Sequence, residues 1–454
     1  MDCFRSILIA ACVSSTVSVP HSAATLLGKV RAVFARFPDG RKKSNNWRYE
    51  IEDAALSALA VFFCQCPSLL DSQVRMQMQQ GKNNASSMFG VHEIPSDNQI
   101  RNILDGVPPE TLYPLITEIG DELFHRGYLD QFRSIGGTFL IALDGTDFFS
   151  SQNVSCDCCS KAKLANGKTQ YRHIAVTPVL VAPGQESVIA LPPEFVVPQD
   201  GHKKQDCELA AAKRWLEQHG AHYAVRGVTY LGDDLYAHDP FCKLVREQNA
   251  HFLFTCKLDS HQTVYEWVDD LSRNGGGMHS RVVARRVGKK LCTDTYRYVN
   301  QVPLRNSDDA LEVDWYELVT TDENGKVLYR NAWVTSHSVT GDNVVALAAA
   351  GRARWKIENE NNNTLKTKGY HFDHNFGHGK QHLANLFATM ILLAFLLHTT
   401  LDKIDNAYRA VRDRLPSRRT FFEHLRALMQ YLPFDNWDHL MNFMLERLDA
   451  HDTG

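Results

Sequence analysis

The chain has 454 residues, of which 44% are hydrophobic and 22% are charged. Such a composition is typical of a globular protein with two or three domains and a large core, and it excludes wholly disordered, collagen-like and small disulfide-stapled proteins. Lys and Arg total 49 against 52 Asp and Glu, for a formal net charge of -3. This balance gives no global support for a nucleic-acid partner, so a DNA-binding role requires locally concentrated positive charge.

The cysteines indicate a reducing, intracellular compartment. There are 11 of them, and the one tight cluster, Cys156, Cys158 and Cys159, does not resemble a secreted disulfide framework. The N-terminus carries a short apolar run from Ile7 to Val13, as a signal peptide does. However, Asp2 weakens the positive region and no clean cleavage site follows, so we favour a mistaken or extended start over a signal.

Residues 1–133 are predicted to form a helical N-terminal region. The segment YEIEDAALSALAVFFCQC has helical periodicity, and Ser96 or Asp97 is a suitable N-cap for a further helix. A basic stretch, in which Asp39 is the one acid, contains Lys29, Arg31, Arg36, Arg41, Lys42, Lys43 and Arg48. The region is therefore interpreted as a DNA-binding region, with a purely structural helical module as the alternative.

Residues 134–260 change to an α/β pattern. The apolar run Thr138 to Leu143 predicts a buried strand, and two more strands flank Pro183 and Gly184 as a hairpin. A helix, a strand ending in GDD, a helix and the strand AHFLFTCK follow. Three antiparallel strands followed by α/β units is the order of the ribonuclease H-like fold. The predicted fold class is α/β, with a mixed five-stranded sheet and helices.

Residues 261–337 predict a β-rich insertion, and residues 338–402 return to the core. The insertion is basic from Arg273 to Arg297, with Asp294 as the one acid, which suits a phosphate-binding surface as well as a merely solvated hairpin. The apolar stretch Leu383 to His398 is shorter than the ~20 residues that span a bilayer, so it predicts a buried helix and no membrane partner. Residues 403–454 are predicted to form a helical C-terminal region with several arginines.

Acidic residues follow two of the buried strands and occupy one predicted helix. Asp144 ends the first strand, Asp233 and Asp234 end the fourth, and Glu358 lies four residues after Arg354. A buried acid is costly unless it is paired, solvated or bound to a metal. Each acid alone is better explained as a turn residue or a surface ion pair, but together they suit a divalent-metal site for phosphodiester chemistry.

These motifs resemble those of the DDE transposases of bacterial insertion sequences, in the group with a Tyr-Arg-Glu-Lys signature. The segments ALDGT, YLGDDLY and GRARWKIENENNNTLK are similar to its three acidic motifs. Two departures are present: Gly351 stands where the signature has tyrosine, and seven residues rather than six separate Glu358 from Lys366. On an α-helix, Lys366 would lie about 80° from Glu358, less directly placed than Arg354 at about 40°.

The resemblance implies cut-and-paste transposition: cleavage at the element ends, then attack of the released 3′-hydroxyl on target DNA. Asp144, Asp233 and Glu358 would be the catalytic residues that bind two Mg²⁺ ions, with Mn²⁺ as a substitute. The partners implied are double-stranded DNA and a second copy of the chain in a homodimer on DNA, in the bacterial cytoplasm at the nucleoid. Phosphate contacts are expected from Arg354, Lys366, Arg285, Arg286, Lys289 and Lys290.

Several alternatives remain open at this stage. Asp234 rivals Asp233, and Glu360 rivals Glu358. The competing function is a catalytically inactive, domesticated transposase that acts as a DNA-binding protein. Trp355 is interpreted as a buried aromatic rather than a base-stacking one.

For two further groups of residues, a functional role is considered and not favoured. Zinc bound by Cys156, Cys158, Cys159 and His173 is considered but not favoured, because C-x-C-C is not a standard finger spacing. Asp206 and Glu208 are placed in the first turn of a helix, where acids favour the helix dipole and need no further role.

Overall fold

The computed structural model describes residues 22–42, 48–198, 206–274, 277–288 and 290–452. The apolar run Ile7 to Val13 lies outside the described residues. Two residues of the predicted basic stretches, Lys43 and Lys289, also lie outside them.

The described chain is a mixed α/β structure with a large mixed sheet and many helices. The helices are α1 (Ala23–Phe34), α2 (Ile51–Phe63), α3 (Leu69–Gln77), α4 (Gln79–Asn84), α5 (Asp97–Leu104), α6 (Tyr113–His125), α7 (Glu208–Ala224), α8 (Asp239–Glu247), α9 (Gln262–Arg273), α10 (Val344–Ala353), α11 (Thr364–Thr367), α12 (Leu383–Ile404), α13 (Asn406–Arg414), α14 (Arg418–Tyr431) and α15 (Trp437–Asp452). The strands are β1 (Phe139–Ala142), β2 (Gly145–Ser151), β3 (Ser160–Lys163), β4 (Thr169–Val176), β5 (Val179–Val181), β6 (Ile189–Ala190), β7 (Glu194–Phe195), β8 (Val228–Gly232), β9 (His251–Thr255), β10 (His279–Val287), β11 (Lys290–Pro303), β12 (Glu312–Asp322) and β13 (Val327–Thr335). Two π-helical segments, Ala85–Phe89 and Ile357–Asn363, interrupt the α-helices.

The main sheet has nine strands in the order β10-β11-β12-β13-β9-β8-β1-β5-β6. Strand β1 is the seventh in this order, parallel to β8 and antiparallel to β5, and β8 is parallel to β9. The side chains of β1 and β8 are buried throughout, which explains why both strands are continuous apolar runs in the sequence. The predicted hairpin around Pro183 and Gly184 is confirmed, since β5 and β6 pair antiparallel.

A second sheet, with order β2-β4-β3 and with β7 paired to β4, continues from the first. Strand β2 starts directly after Asp144, and β4 leads into β5 through Thr177. The chain therefore passes directly from β1 of the main sheet to β2 of the smaller sheet, and from β4 of the smaller sheet to β5 of the main sheet. Asp144 lies at the point where the chain passes between the two sheets.

The predicted strands between residues 279 and 335 are present as β10 to β13. They form successive antiparallel pairs, and β13 pairs with β9 through Trp333 and Thr255. These strands therefore extend the main sheet. Strand β10 is at the sheet edge, and most of its side chains are exposed.

Helix α12 is the buried helix predicted for the apolar stretch, and it is longer than predicted. It has 22 residues, because the polar end Thr399 to Ile404 continues the helix, so it is long and apolar enough to cross a membrane. Within the protein, 89% of its most apolar window is buried. It packs against α2, where the ring centroids of Phe62 and Phe387 lie 5.6 Å apart.

Candidate active site

Two acidic residues are brought together where β1 and β8 end. The backbone N–H of Leu143 donates to the carbonyl oxygen of Leu231 at 2.8 Å, which continues the parallel pairing of the two strands. Asp144 follows Leu143, and Asp233 follows β8. Because the carboxyl ends of parallel strands share one edge of the sheet, the first and second predicted acids meet there.

Glycines make room at both strand ends. A Cβ at position 145 would overlap the carboxyl group of Glu208, and one at position 232 would overlap the ring of Tyr236. The glycine after Asp144 and the glycine before Asp233 are thus required by close packing.

Asp144 lies among charged groups that the sequence places far apart. The pKa of its carboxyl is raised to about 7. Burial is the largest cause, the carboxyls of Glu208, Glu358 and Asp233 also raise the pKa, and the Arg354 guanidinium lowers it. The side-chain amide of Asn362 donates to Asp144 Oδ2 at 3.0 Å. The other two predicted acids, Asp233 and Glu358, are therefore close enough to act on the Asp144 carboxyl.

Glu208 is a member of this site that the sequence analysis missed. It is the first residue of α7, as the helix-dipole interpretation requires, but that interpretation was incomplete. Its Oε1 accepts hydrogen bonds from Gly145 N at 2.9 Å and from the Tyr236 hydroxyl at 2.7 Å. These contacts join α7 to both strand ends. Local sequence gives no sign of them.

Asp206 has a different, structural environment. It accepts hydrogen bonds from Arg214 and from the backbone N–H of Val197 at 2.9 Å. It therefore anchors the start of α7 to the chain after β7 and does not take part in the site.

Asp233 and Asp234 differ in their contacts. Asp234 accepts the Lys257 N–H at 2.7 Å, lies 3.2 Å from His261 Nε2 and accepts the Ser260 hydroxyl. Burial alone would raise its pKa, but these partners hold the pKa at about 2. The side chain of Asp233 accepts from Leu235 N at 2.8 Å and acts on Asp144. The geometry favours Asp233 as the acid that faces the site.

The third acid is on a π-helical segment rather than the α-helix assumed for the angular estimate. Helix α10 ends at Ala353, and residues Ile357–Asn363 form a π-helix before α11. A π-helical turn accommodates one extra residue in a helix. The π-helical segment accommodates the seventh residue between Glu358 and Lys366. The angle of about 80° between these two residues, which assumes an α-helix, therefore does not apply.

Arg354 and Lys366 flank the acids. Arg354 is 12% exposed and its guanidinium lies 2.8 Å from Glu358 Oε1. The ammonium of Lys366 donates to Thr146 Oγ1 at 2.7 Å, two residues after Asp144. Glu360, the rival of Glu358, is not among the groups that shift the Asp144 pKa.

The missing signature tyrosine has a steric explanation. Gly351 is buried in α10, and a Cβ there would come within 2.7 Å of Trp333 Nε1 and 3.0 Å of a Leu253 methyl group. A tyrosine side chain cannot occupy this position while Trp333 fills it.

Trp355 was predicted to be buried, and this prediction is wrong. Its side chain is 51% exposed, and the Arg354 guanidinium lies 5.6 Å from its ring centroid. The residue lies two positions after the end of α10 at Ala353, and its side chain is not buried by the described part of the chain. An aromatic ring beside the acids is thus open to solvent.

The basic residues of the β10–β11 hairpin lie on an exposed edge. Arg286 and Lys290 are exposed, and Arg285 is paired with Asp294 at 2.5 Å. Lys289 lies outside the described residues. Part of the positive charge expected for this hairpin is therefore neutralised within the protein.

The cysteine cluster has a different membership from the one considered in the sequence. Cys156, Cys159 and His173 are close together, but the fourth member is His378, from the connection between α11 and α12. Cys158 lies outside the group, with its Sγ 3.9 Å from the carbonyl oxygen of Gln381. Over the described ranges, this is the one group of three or more such donors whose ligand atoms all lie within 4.8 Å. The carboxyls around Asp144 are more widely spaced.

No family model matches the chain, and no curated protein does. Among solved structures, a cryo-EM structure of the piggyBac transposase synaptic complex with hairpin DNA aligns with 94% of this chain and 81% of that chain. The identity is 10% and the TM-score is 0.43. At this level of similarity, neither fold nor function is transferred from that protein.

Proposed function

We propose that this chain is a DDE-type DNA transposase that cleaves and joins DNA strands at the site of Asp144, Asp233 and Glu358. The observation that carries the proposal is the meeting of these acids. They come from the ends of two parallel strands and from a helix far along the chain, and they act electrostatically on the Asp144 carboxyl. A carboxyl whose pKa is perturbed by other acids in this way is typical of catalytic sites.

The topology supports a ribonuclease H-like core. Strands β6, β5 and β1 are successive antiparallel neighbours, and β8 and β9 continue the sheet in parallel after α7 and α8. This is the order of three antiparallel strands followed by α/β units. Strands β10 to β13 would then be the insertion between the second and third acids.

The charge around Asp144 fits a divalent cation. Among the groups with the largest effect on the Asp144 pKa, the carboxyls of Glu208, Glu358 and Asp233 raise it and the Arg354 guanidinium lowers it. Carboxylate oxygens are the ligands that Mg²⁺ and Mn²⁺ prefer. We propose that Asp144, Asp233 and Glu358 hold two such ions. When bound, they would activate the attacking hydroxyl and stabilise the leaving oxygen of the phosphodiester.

We propose that other side chains position the DNA. The ion pair with Glu358 holds Arg354 at the acids, where its planar guanidinium suits a phosphate. A hydrogen bond to Thr146 holds Lys366 close to the strand end that carries Asp144. Trp355 is exposed and can stack on a base, a contact worth roughly 1–3 kcal/mol per base. Arg286 and Lys290 are proposed to contact the backbone farther away.

The test is cleavage of a duplex that carries the DNA flanking the coding region. With Mg²⁺, the purified chain should nick that duplex and release a 3′-hydroxyl. Asp144→Ala should abolish nicking while the Kd for the same duplex stays within about threefold. Nicking that persists in Asp144→Ala would contradict the site. Binding without any nicking by the unmodified chain would favour the inactive, domesticated alternative.

A further inference from the structure

Four soft or borderline metal-ligand atoms meet on the side of β2–β4 that faces the connection between α11 and α12. Cys156 and Cys159 precede β3, His173 lies in β4, and His378 comes from the connection. Both cysteines are free thiols. Cys159 and His173 are buried, and Cys156 and His378 are half-buried.

Four of the six distances between these atoms are close to the edges of a tetrahedron, and all six are within 4.8 Å. Cys156 Sγ and Cys159 Sγ are 3.6 Å apart, and the two sulfurs lie 3.3 and 3.4 Å from His173 Nε2. His173 Nε2 lies 3.2 Å from His378 Nδ1. Around a tetrahedral zinc ion, ordinary bond lengths give edges of ~3.8 Å for S···S, ~3.6 Å for S···N and ~3.3 Å for N···N.

Hydrogen bonding alone does not account for this arrangement. His173 Nε2 has three polar neighbours within 3.4 Å, namely two sulfurs and a second imidazole nitrogen. An imidazole nitrogen carries either one hydrogen or one lone pair, so it can satisfy one such partner. Four ligand atoms that all lie within 4.8 Å of one another are explained if they share a metal ion.

Aromatic packing fixes the two imidazoles. The Phe148 ring is stacked on His173 at 5.4 Å, and the Phe149 ring meets His378 edge-on at 4.1 Å. The backbone N–H of Cys156 also donates to Cys159 Sγ at 3.4 Å. The ligand side chains are thus oriented before any ion binds, as a structural metal site requires.

We propose that Cys156, Cys159, His173 and His378 bind one structural Zn²⁺ ion. Two thiolates and two imidazoles in a tetrahedral, closed set are typical of zinc. On binding, each cysteine thiol releases its proton and the sulfur donates an electron pair to the ion, with no change of oxidation state.

The ion would fasten together two parts of the chain that also carry the acidic site. The small sheet begins at β2, directly after Asp144, and the connection with His378 follows α11, which carries Lys366. The Lys366–Thr146 hydrogen bond joins the same two parts at the other end. The zinc site does not depend on the proposed catalytic function.

The experiment is elemental analysis of the full-length, tag-free chain after dialysis against a mild chelator. The expected result is about one zinc per chain, lost in Cys156→Ser and in His378→Ala. Matched controls from the same segments, Cys158→Ser and His374→Ala, should retain it. Metal-free chain titrated with Co²⁺ should develop the visible absorption bands of tetrahedral cobalt, saturating at one equivalent.

Three results would overturn the proposal. The first is less than half an equivalent of zinc in the unmodified chain together with no tetrahedral cobalt bands. The second is a disulfide between Cys156 and Cys159 in protein purified under reducing conditions. The third is loss of metal from Cys158→Ser with retention in His378→Ala, which would restore the ligand set considered from sequence. The cobalt titration uses the unmodified chain, so it decides even if a variant fails to fold.

Discussion

Asp144 lies at the end of β1 among three other carboxyl groups. The effect of this environment on the stability of the protein can be measured without DNA. The pKa of Asp144 is raised to about 7 by burial and by those neighbours, above the ordinary value near 3.9. The folded chain therefore binds a proton here more tightly than the unfolded chain does. The resulting contribution to stability is fully present below pH ~4 and is lost as pH rises through about 7.

We expect Asp144→Asn to raise the melting temperature of the metal-free chain at pH 8 by roughly 2–4 °C, with a much smaller effect at pH 5. Mg²⁺ should raise the melting temperature of the unmodified chain at pH 8 and have little effect on the variant. Differential scanning calorimetry at the two pH values measures both effects. An unmodified chain as stable as Asp144→Asn at pH 8 would show that burial and the neighbouring acids do not raise the pKa of Asp144.

Asp233 and Asp234 provide a matched pair of adjacent residues. Asp233→Asn should reduce the nicking rate by ~10²-fold or more, the scale of losing one group that stabilises a transition state. Asp234→Asn should keep nicking near the unmodified rate but lower stability, since Lys257, Ser260 and His261 lose a charged partner. A reversal of the two phenotypes would move the second acid to position 234.

Sequence could predict the acids but not everything around them. Asp144 and Asp233 each follow an apolar strand, so a local pattern marks them. Glu208 and His378 reach their clusters through contacts between distant segments, and nothing near them in the chain indicates those contacts. The exposure of Trp355 depends on which element covers the end of α10, and helical periodicity does not carry that information.

At the scale of elements, the π-helical segment determines how the third acid meets the first. The hydroxyl of Thr177 donates to Asn362 Oδ1 at 3.0 Å, and Asn362 donates onward to Asp144. Sequence showed the extra residue only as an unusual spacing before Lys366. The structural result of that spacing, a local widening of the helix, could not be derived from α-helical geometry.

Asn362→Ala should lower the free energy of unfolding by roughly 1–3 kcal/mol, since buried polar partners are left unsatisfied. Asn363→Ala is the control, because that side chain lies on the exposed face of the same segment. Urea denaturation measures both. Equal stability of the two variants would mean that the Asn362 network does not hold the segment to β1.

At the scale of the whole molecule, charge along the sequence is a poor guide to surface charge. Lys29 is paired with Glu118 and Glu122 at 2.8 Å each. In the C-terminal region, the Arg418 guanidinium donates to the Tyr370 hydroxyl at 2.6 Å inside the helical core. Both basic stretches thus contribute to packing between distant helices, and the case for DNA binding rests more on the acidic site and its neighbours.

The architecture was largely predictable, because strand and helix periodicities are local. The packing of these elements against one another was not predictable. Helix α2 packs against α12, and the ring centroids of Trp437 in α15 and Phe63 in α2 lie 5.1 Å apart. The N- and C-terminal helices thereby form one continuous apolar core with the sheet. Pairing of β13 with β9 likewise depends on long-range register.

The central claim is that Asp144, Asp233 and Glu358 together hold the catalytic cations, and a metal-switch assay tests it most directly. Each acid is replaced by cysteine, and nicking is measured with Mg²⁺ and with Mn²⁺, since a thiolate ligand favours the softer ion. We predict that all three variants are inactive with Mg²⁺ and regain nicking with Mn²⁺, whereas Asp234→Cys nicks with either ion. Nicking with Mg²⁺ by any of the three at the unmodified rate, or a metal switch confined to Asp234→Cys, would contradict the claim.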